Sequence, residues 1–335
     1  NDDIKLTDIS PLLLHDYLVK VKSSLADISL TDHMEDVLEQ MDLLEAVPEG
    51  WRIKNVAAMM FSERPDRFFR QAQIEIVLFP EGREKNPNNL IEVEPIRGSV
   101  PQMIEKTLSY LNTNIIKKQI IKPKDRAQSI TFFNYPYQAL EEAVVNSLYH
   151  RDWTIREPVE ITIEPERISI LSFSGPNHTI PVEAVHKGMS LRSRRYRNRR
   201  LGEFLKELDL TEGRATGIPT IQDELKDNGS PQATIETDEE RTYFLIDIPC
   251  HPDLIRELFV LNKDVVKDVV KDVVKELSER QKIILDFITE NPALTAKEMS
   301  ERMSERMSEK TGIVPRTIQR DLAELQTKGI ITREG

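Results

Sequence analysis

Cysteine is the first thing this chain lacks. One, Cys250, in 335 residues leaves no disulfide framework and fits a reducing, cytoplasmic setting. No apolar run approaches the roughly 18 residues a membrane span needs, and no signal-peptide pattern is read at the start, so no membrane partner is expected. The pattern Gly-x-x-x-x-Gly-Lys-Ser/Thr does not occur, which leaves a P-loop motor unsupported. Positive charge is in the minority. The 46 Lys and Arg against 57 Asp and Glu give a net charge of −11 and a pI near 5.3, which argues against a protein that coats nucleic acid through its overall field. Any DNA contact must be local.

What is present is chain enough for two or three domains. Residues 1–128 read as an α/β module. Pro11 to Leu25 and Asp32 to Leu44 have helical periodicity, with Thr31 or Asp32 placed to cap the second. Ala72 to Phe79 and Leu90 to Ile96 alternate like half-buried strands, and Gly98 turns the chain into a helix across Val100 to Leu111. No catalytic constellation is visible here, and the Met and Phe residues of Val56 to Phe61 read as core.

The stretch from Tyr137 to Trp153 carries more. It follows Pro136, which suits a helix start, and at about 3.6 residues per turn Leu140, Ala143, Val144, Ser147 and Leu148 share one face. Glu142, Asn146 and His150 fall four apart on the other, so a carboxylate, an amide and an imidazole lie along one stripe. By spacing alone such a stripe is more often a solvated face than a site.

Four strand-like runs follow, Val159 to Ile163, Ile168 to Phe173, Ala233 to Thr237 and Thr242 to Ile248. Helical stretches Leu201 to Leu208 and Ile218 to Lys226 lie between the pairs. A four-stranded sheet with helices on one face, a two-layer α/β sandwich over residues 129–250, is the simplest arrangement. His178 and His186 share no metal-ligand spacing with each other or with Cys250 and read as loop residues.

The run Glu141-Glu142-Ala143-Val144-Val145-Asn146-Ser147-Leu148-Tyr149-His150-Arg151-Asp152-Trp153 resembles the signature of a bacterial family of RecG-like ATP-binding proteins and AlbA/Schlafen-type transcriptional regulators. Their central domain is similar to the GHKL (Bergerat) nucleotide-binding fold. The resemblance implies ATP and Mg²⁺ as cofactors, Glu142 as the base that activates water, Asn146 as the magnesium ligand and His150 beside them. Val56 to Phe61 with Pro65 resembles the family's linking region, and an AlbA-type domain is expected upstream of this chain.

Further along, Ser172-Phe173-Ser174-Gly175-Pro176 stands where relatives have a glycine-rich turn that holds adenine. Ser172 and Ser174 depart from that pattern, and an ordinary strand-ending turn is the competing reading; Ser172 and Gly175 are the candidate nucleotide contacts. Gly213-Arg214-Ala215-Thr216-Gly217-Ile218 resembles the family's phosphate turn. A small-residue turn feeding a helix start aims free N–H groups at one spot, so Arg214, Thr216 and Gly217 are expected at the phosphates. Six arginines fall between Arg192 and Arg200. Three readings of that run stay open: a phosphate lid with Arg197 and Asn198 matching the family's lid pair, a nucleic-acid patch with Tyr196 available to stack, or a solvated loop.

From Asn262 to Lys275 the chain repeats Lys-Asp-Val-Val, which marks residues 251–277 as a low-complexity linker; a helix there and pairing with a second subunit, which would make a homo-oligomer, both stay open. Residues 278–335 read as a small winged helix-turn-helix. Ser278 and Thr295 are placed to cap two helices, and Ser300-Glu301-Arg302-Met303 is repeated as Ser304-Glu305-Arg306-Met307. The third helix, Pro315 to Leu325, resembles a bacterial repressor's recognition helix. Ile318, Leu322 and Leu325 face inward, leaving Arg316, Thr317, Gln319 and Arg320 outward for phosphates and base edges of DNA. A winged helix used for protein contacts is the competing reading.

The whole reads as a GHKL-like two-layer α/β sandwich preceded by an α/β module and followed by a winged helix. The expected function is a nucleotide-binding transcriptional regulator. An ATP-hydrolysing switch and a DNA-anchored scaffold with a decayed pocket are the alternatives.

Overall fold

The chain divides into two units between Phe259 and Val260. The computed structural model describes residues 3–28, 30–48, 50–122, 129–187, 196–211 and 217–255, all in the first unit. The repeat from Asn262, the winged helix with Arg316, Thr317, Gln319 and Arg320, the arginines 192, 194 and 195, and Arg214 and Thr216 lie outside the described residues.

Helix α1 (Pro11–Lys20) starts where the Ser10 hydroxyl accepts the Leu13 amide at 3.5 Å and Pro11 opens the first turn. The second helix, α2 (Leu30–Gln40), stops four residues short of the expected Leu44, because Asp42 takes a left-handed φ of 54° and the chain turns into a hairpin. That hairpin, β1 (Leu44–Val47) and β2 (Gly50–Ile53), leads to α3 (Asn55–Phe61), whose Val56 to Phe61 run is wholly buried as core. Phe61 meets Tyr17 of α1 edge to face at 5.3 Å.

The remaining elements are β3 (Ile74–Leu78), β4 (Ile91–Glu92), α4 (Val100–Asn114), β5 (Lys118–Ile121), β6 (Ile130–Phe133), α5 (Tyr137–Tyr149), β7 (Val159–Ile163), β8 (Arg167–Ser172), α6 (Val182–His186), α7 (Arg199–Glu207), α8 (Gly217–Asn228), β9 (Thr234–Glu236) and β10 (Phe244–Pro249). His186 closes α6 and so is helical, where a loop was expected.

A mixed sheet runs in the order β4-β3-β7-β8-β10-β9, with β3 and β7 parallel and the other pairs antiparallel. It has six strands where four were expected. The added pair comes from the segment before residue 123. In β3, Ile74, Ile76 and Leu78 are buried in alternation, and they stand in register with the buried Val159, Ile161 and Ile163 of β7. Two strands with the same buried period cover one core face together, so sequence separation does not keep them apart. Strands β5 and β6 form a separate two-stranded sheet.

Helix α5 packs against β8, β10, α4 and α8. Its Leu140, Ala143, Val144, Ser147 and Leu148 are buried, as the apolar stripe requires, and so are Ala139, Val145 and Tyr149. A helix buried on so many sides has few places for polar groups, and Glu142 and Asn146 occupy one of them, half-buried.

Candidate functional site

The Asn146 amide nitrogen donates to Glu142 Oε1 at 2.9 Å, one helical turn away, which turns its carbonyl oxygen to the other side. The start of α8 lies directly on this pair. A β-carbon at Gly217 would land on the Glu142 carboxylate and 2.6 Å from Asn146 Nδ2. The structure therefore brings Glu142, Asn146 and Gly217 together, and α8 can begin there only because its first residue has no side chain. The first turn of α8, the positive end of its dipole, lies at the same locality. A carboxylate, an amide and an anion-favouring helix end are thus adjacent.

His150 does not extend this stripe. It caps the end of α5, and its ring stacks on Tyr149 at 4.4 Å and on Tyr196 at 5.8 Å. Burial, with the Arg197 charge adding to it, pushes its pKa down to about 4, so the imidazole is neutral near pH 7. Arg197 and Asn198 gather at the same place. Arg197 Nη1 donates to the His150 carbonyl at 2.7 Å, and its Nε sits 3.8 Å from the Asp152 carboxylate. Asn198 Nδ2 donates to the carbonyls of Tyr149 and Arg151, each at 2.8 Å. These two side chains, the candidate lid pair in one of the three readings of the arginine run, satisfy the carbonyls that α5 leaves open at its end.

Arg151, to which the sequence reading gave no role, is 1% exposed. Its guanidinium donates to the carbonyls of Gln71 at 3.3 Å and Glu157 at 2.6 Å and lies 4.7 Å over the Trp153 ring. Burial draws its pKa down to about 10. It ties the turn after α5 to the chain entering β3 and to the chain entering β7. The sequence hint was the arginine's place two residues before a tryptophan, which suits a cation stacked on an indole.

At the far end of β8, Ser172 is buried and pairs with Phe244 of β10. Gly175 is fixed by its neighbours: its N–H donates to the Arg241 carbonyl at 2.8 Å, and a β-carbon would meet Thr237 Oγ1 and the Tyr243 carbonyl, each at 2.7 Å. The glycine is explained by that backbone approach. Arg241 itself is buried, donates to the Ile180 carbonyl at 2.6 Å, and was not anticipated, since an arginine after Asp-Glu-Glu reads as solvated.

Among the described residues no group of three or more His, Cys, Asp and Glu side chains is placed to hold a metal ion. Mg²⁺ characteristically takes one or two protein oxygens and completes its shell with phosphate and water, so a single amide beside a helix start fits it better than a full protein cage would. Among the same residues no helix is long and apolar enough to cross a membrane.

Residues 157–246, the sheet from β7 to β10 with α6 to α8, match the model of a family described as "Putative ATP-dependent DNA helicase recG C-terminal", and ATP binding is what that family implies. The crystal structure of the DIP2311 protein from Corynebacterium diphtheriae is similar over 96% of this chain at 18% identity, with a TM-score of 0.56. That likeness speaks for the fold. The chain spans 58% of the length of that protein. No curated protein matches the sequence.

Proposed function

We propose that the first unit binds ATP with Mg²⁺ between α5 and the start of α8. The observation that carries this reading is the contact of Gly217 with both Glu142 and Asn146, which sets a helix N-terminus over a carboxylate and an amide. Asn146 would hold the ion through its carbonyl oxygen, and Arg214 and Thr216, which precede Gly217 in the sequence, would receive the phosphates. When bound, the ion supplies charge neutralisation at the phosphates. Glu142 would take the proton of a water placed beside it, the task of a general base. Arg197 and Asn198 serve the site from behind by fixing the end of α5, and His150 stays neutral in its aromatic stack. The family matched over residues 157–246 supports the nucleotide assignment.

This reading extends to a regulator whose nucleotide state is read out on DNA through the winged helix expected at residues 278–335, with Arg316, Thr317, Gln319 and Arg320 as the contacting side chains. A homo-oligomer would let two such modules engage one operator.

Thermal unfolding with ATP and Mg²⁺ tests the first part. Ligand at about a hundred times its Kd should add about 2.7 kcal/mol of stability. Gly217→Ala should remove most of that gain, because its methyl group occupies the contact with Glu142. Glu142→Gln should keep the gain and end any turnover. A wild-type unfolding curve unmoved by saturating nucleotide refutes the assignment. For the second part, replacing both Arg316 and Arg320 with Ala should lower DNA affinity and flatten its salt dependence by about two phosphate contacts.

A further inference from the structure

Two strand edges on this unit show apolar side chains to solvent, and they complement each other. In the β5–β6 hairpin, Phe132 packs inward on the His251 ring at 4.2 Å. Asn228 takes up both backbone groups of Phe133, the N–H at 2.8 Å and the carbonyl at 2.7 Å. The outer side of β6 is closed there, whereas among the described residues β5 pairs with β6 alone. Along β5, Ile120 is 57% and Ile121 is 41% exposed, with Lys118 and Lys122 exposed beside them.

The other edge is β4, at one end of the six-stranded sheet. Leu90 and Ile91 are each 42% exposed, and Glu92 and Glu94 stand exposed next to them. An open strand edge is a template for another chain, and a hairpin of two strands is marginal in water without further packing. Joining β5 to β5 would gather the lysines of two copies, and joining β4 to β4 would gather glutamates. Joining β5 to β4 sets opposite charges together. Read in the same direction, Ile120-Ile121-Lys122 meets Leu90-Ile91-Glu92, apolar on apolar and ammonium on carboxylate, with the same alternation of faces.

We propose that β5 of one copy of this chain pairs with β4 of a second copy, so that each hairpin extends the other's sheet, and that the reciprocal contact closes a two-fold dimer. Nothing in this contact depends on nucleotide, and its residues are separate from Glu142, Asn146 and Gly217.

Sedimentation velocity of the full chain over a concentration series tests it. The wild type should dimerise, and Ile91→Asp or Ile120→Asp should sediment as monomer, with a melting midpoint equal to that of the wild type at dilutions where the wild type is itself monomeric. Glu92→Lys or Lys122→Glu alone should weaken dimerisation by about tenfold, because a two-fold contact contains each change twice. Mixing the two single variants should restore wild-type affinity, since their heterodimer pairs every lysine with a glutamate. A wild-type chain that sediments as a monomer, or a dimer whose affinity either class of substitution leaves unchanged, overturns the proposal.

Discussion

The middle of α5 and its C-terminal turn sit a few residues apart and spend their polar groups in different ways. At the turn, the carbonyls of Tyr149, His150 and Arg151 are taken up by Arg197 and Asn198, and the Arg151 guanidinium is spread over backbone oxygens and an indole. In the middle, Glu142 and Asn146 face a glycine and a helix start. The turn is built to stay where it is. The middle is shaped for small, charged company, and the turn's rigidity is what keeps that stripe aimed.

If this division is right, damage at the two places should separate. Arg151→Met should cost the most stability, about 3 kcal/mol, since it strands several buried carbonyls. Urea unfolding measures it, and a loss under about 1 kcal/mol would show that the carbonyls find other donors. Asn198→Ala should cost about 1–2 kcal/mol by the same measurement, with nucleotide protection of the folded protein retained. If that protection disappears together with stability, the turn and the middle act as one site and the contrast fails.

A further expected effect is on pH. His150 titrates near 4 in the folded chain against an ordinary 6.5, so below about 6.5 the unfolded chain holds the extra proton. Stability contributed by the neutral ring is complete above that value and drains away as pH falls towards 4. His150→Phe, which keeps the stack, should flatten the dependence of the urea midpoint on pH across that window. A slope as steep as wild type would mean another group is responsible.

Much of this was legible in the chain. The α5 stripe and the strands β7, β8 and β10 declare themselves through local periods, and α7 and α8 appear within a few residues of where their apolar spacing puts them. The parallel partnership of β3 with β7 was not legible, because the register Ile74 to Val159 spans a stretch of chain that no local period crosses. Strands β5 and β6 were missed since Lys-Gln-Ile-Ile and Ile-Thr-Phe-Phe are short and do not alternate apolar with polar residues. For the proposed site, Glu142 and Asn146 were singled out by resemblance to a family signature, since their spacing alone reads as a solvated face, and Gly217 by resemblance to that family's phosphate turn. Arg197 and Asn198 were read by charge and resemblance, whereas their work depends on the direction of three carbonyls that only the folded helix end supplies. The role of Arg151 was hidden for the same reason.

The central claim, a magnesium-dependent nucleotide site between α5 and α8, is tested most directly by calorimetric titration of ATP into wild type and Asn146→Ala, each with and without Mg²⁺. Mg²⁺ should tighten binding to the wild type by at least about tenfold, and that gain should vanish in Asn146→Ala while the metal-free affinity stays within about twofold. Equal magnesium gains in the two proteins, or no binding heat in either, would contradict the account.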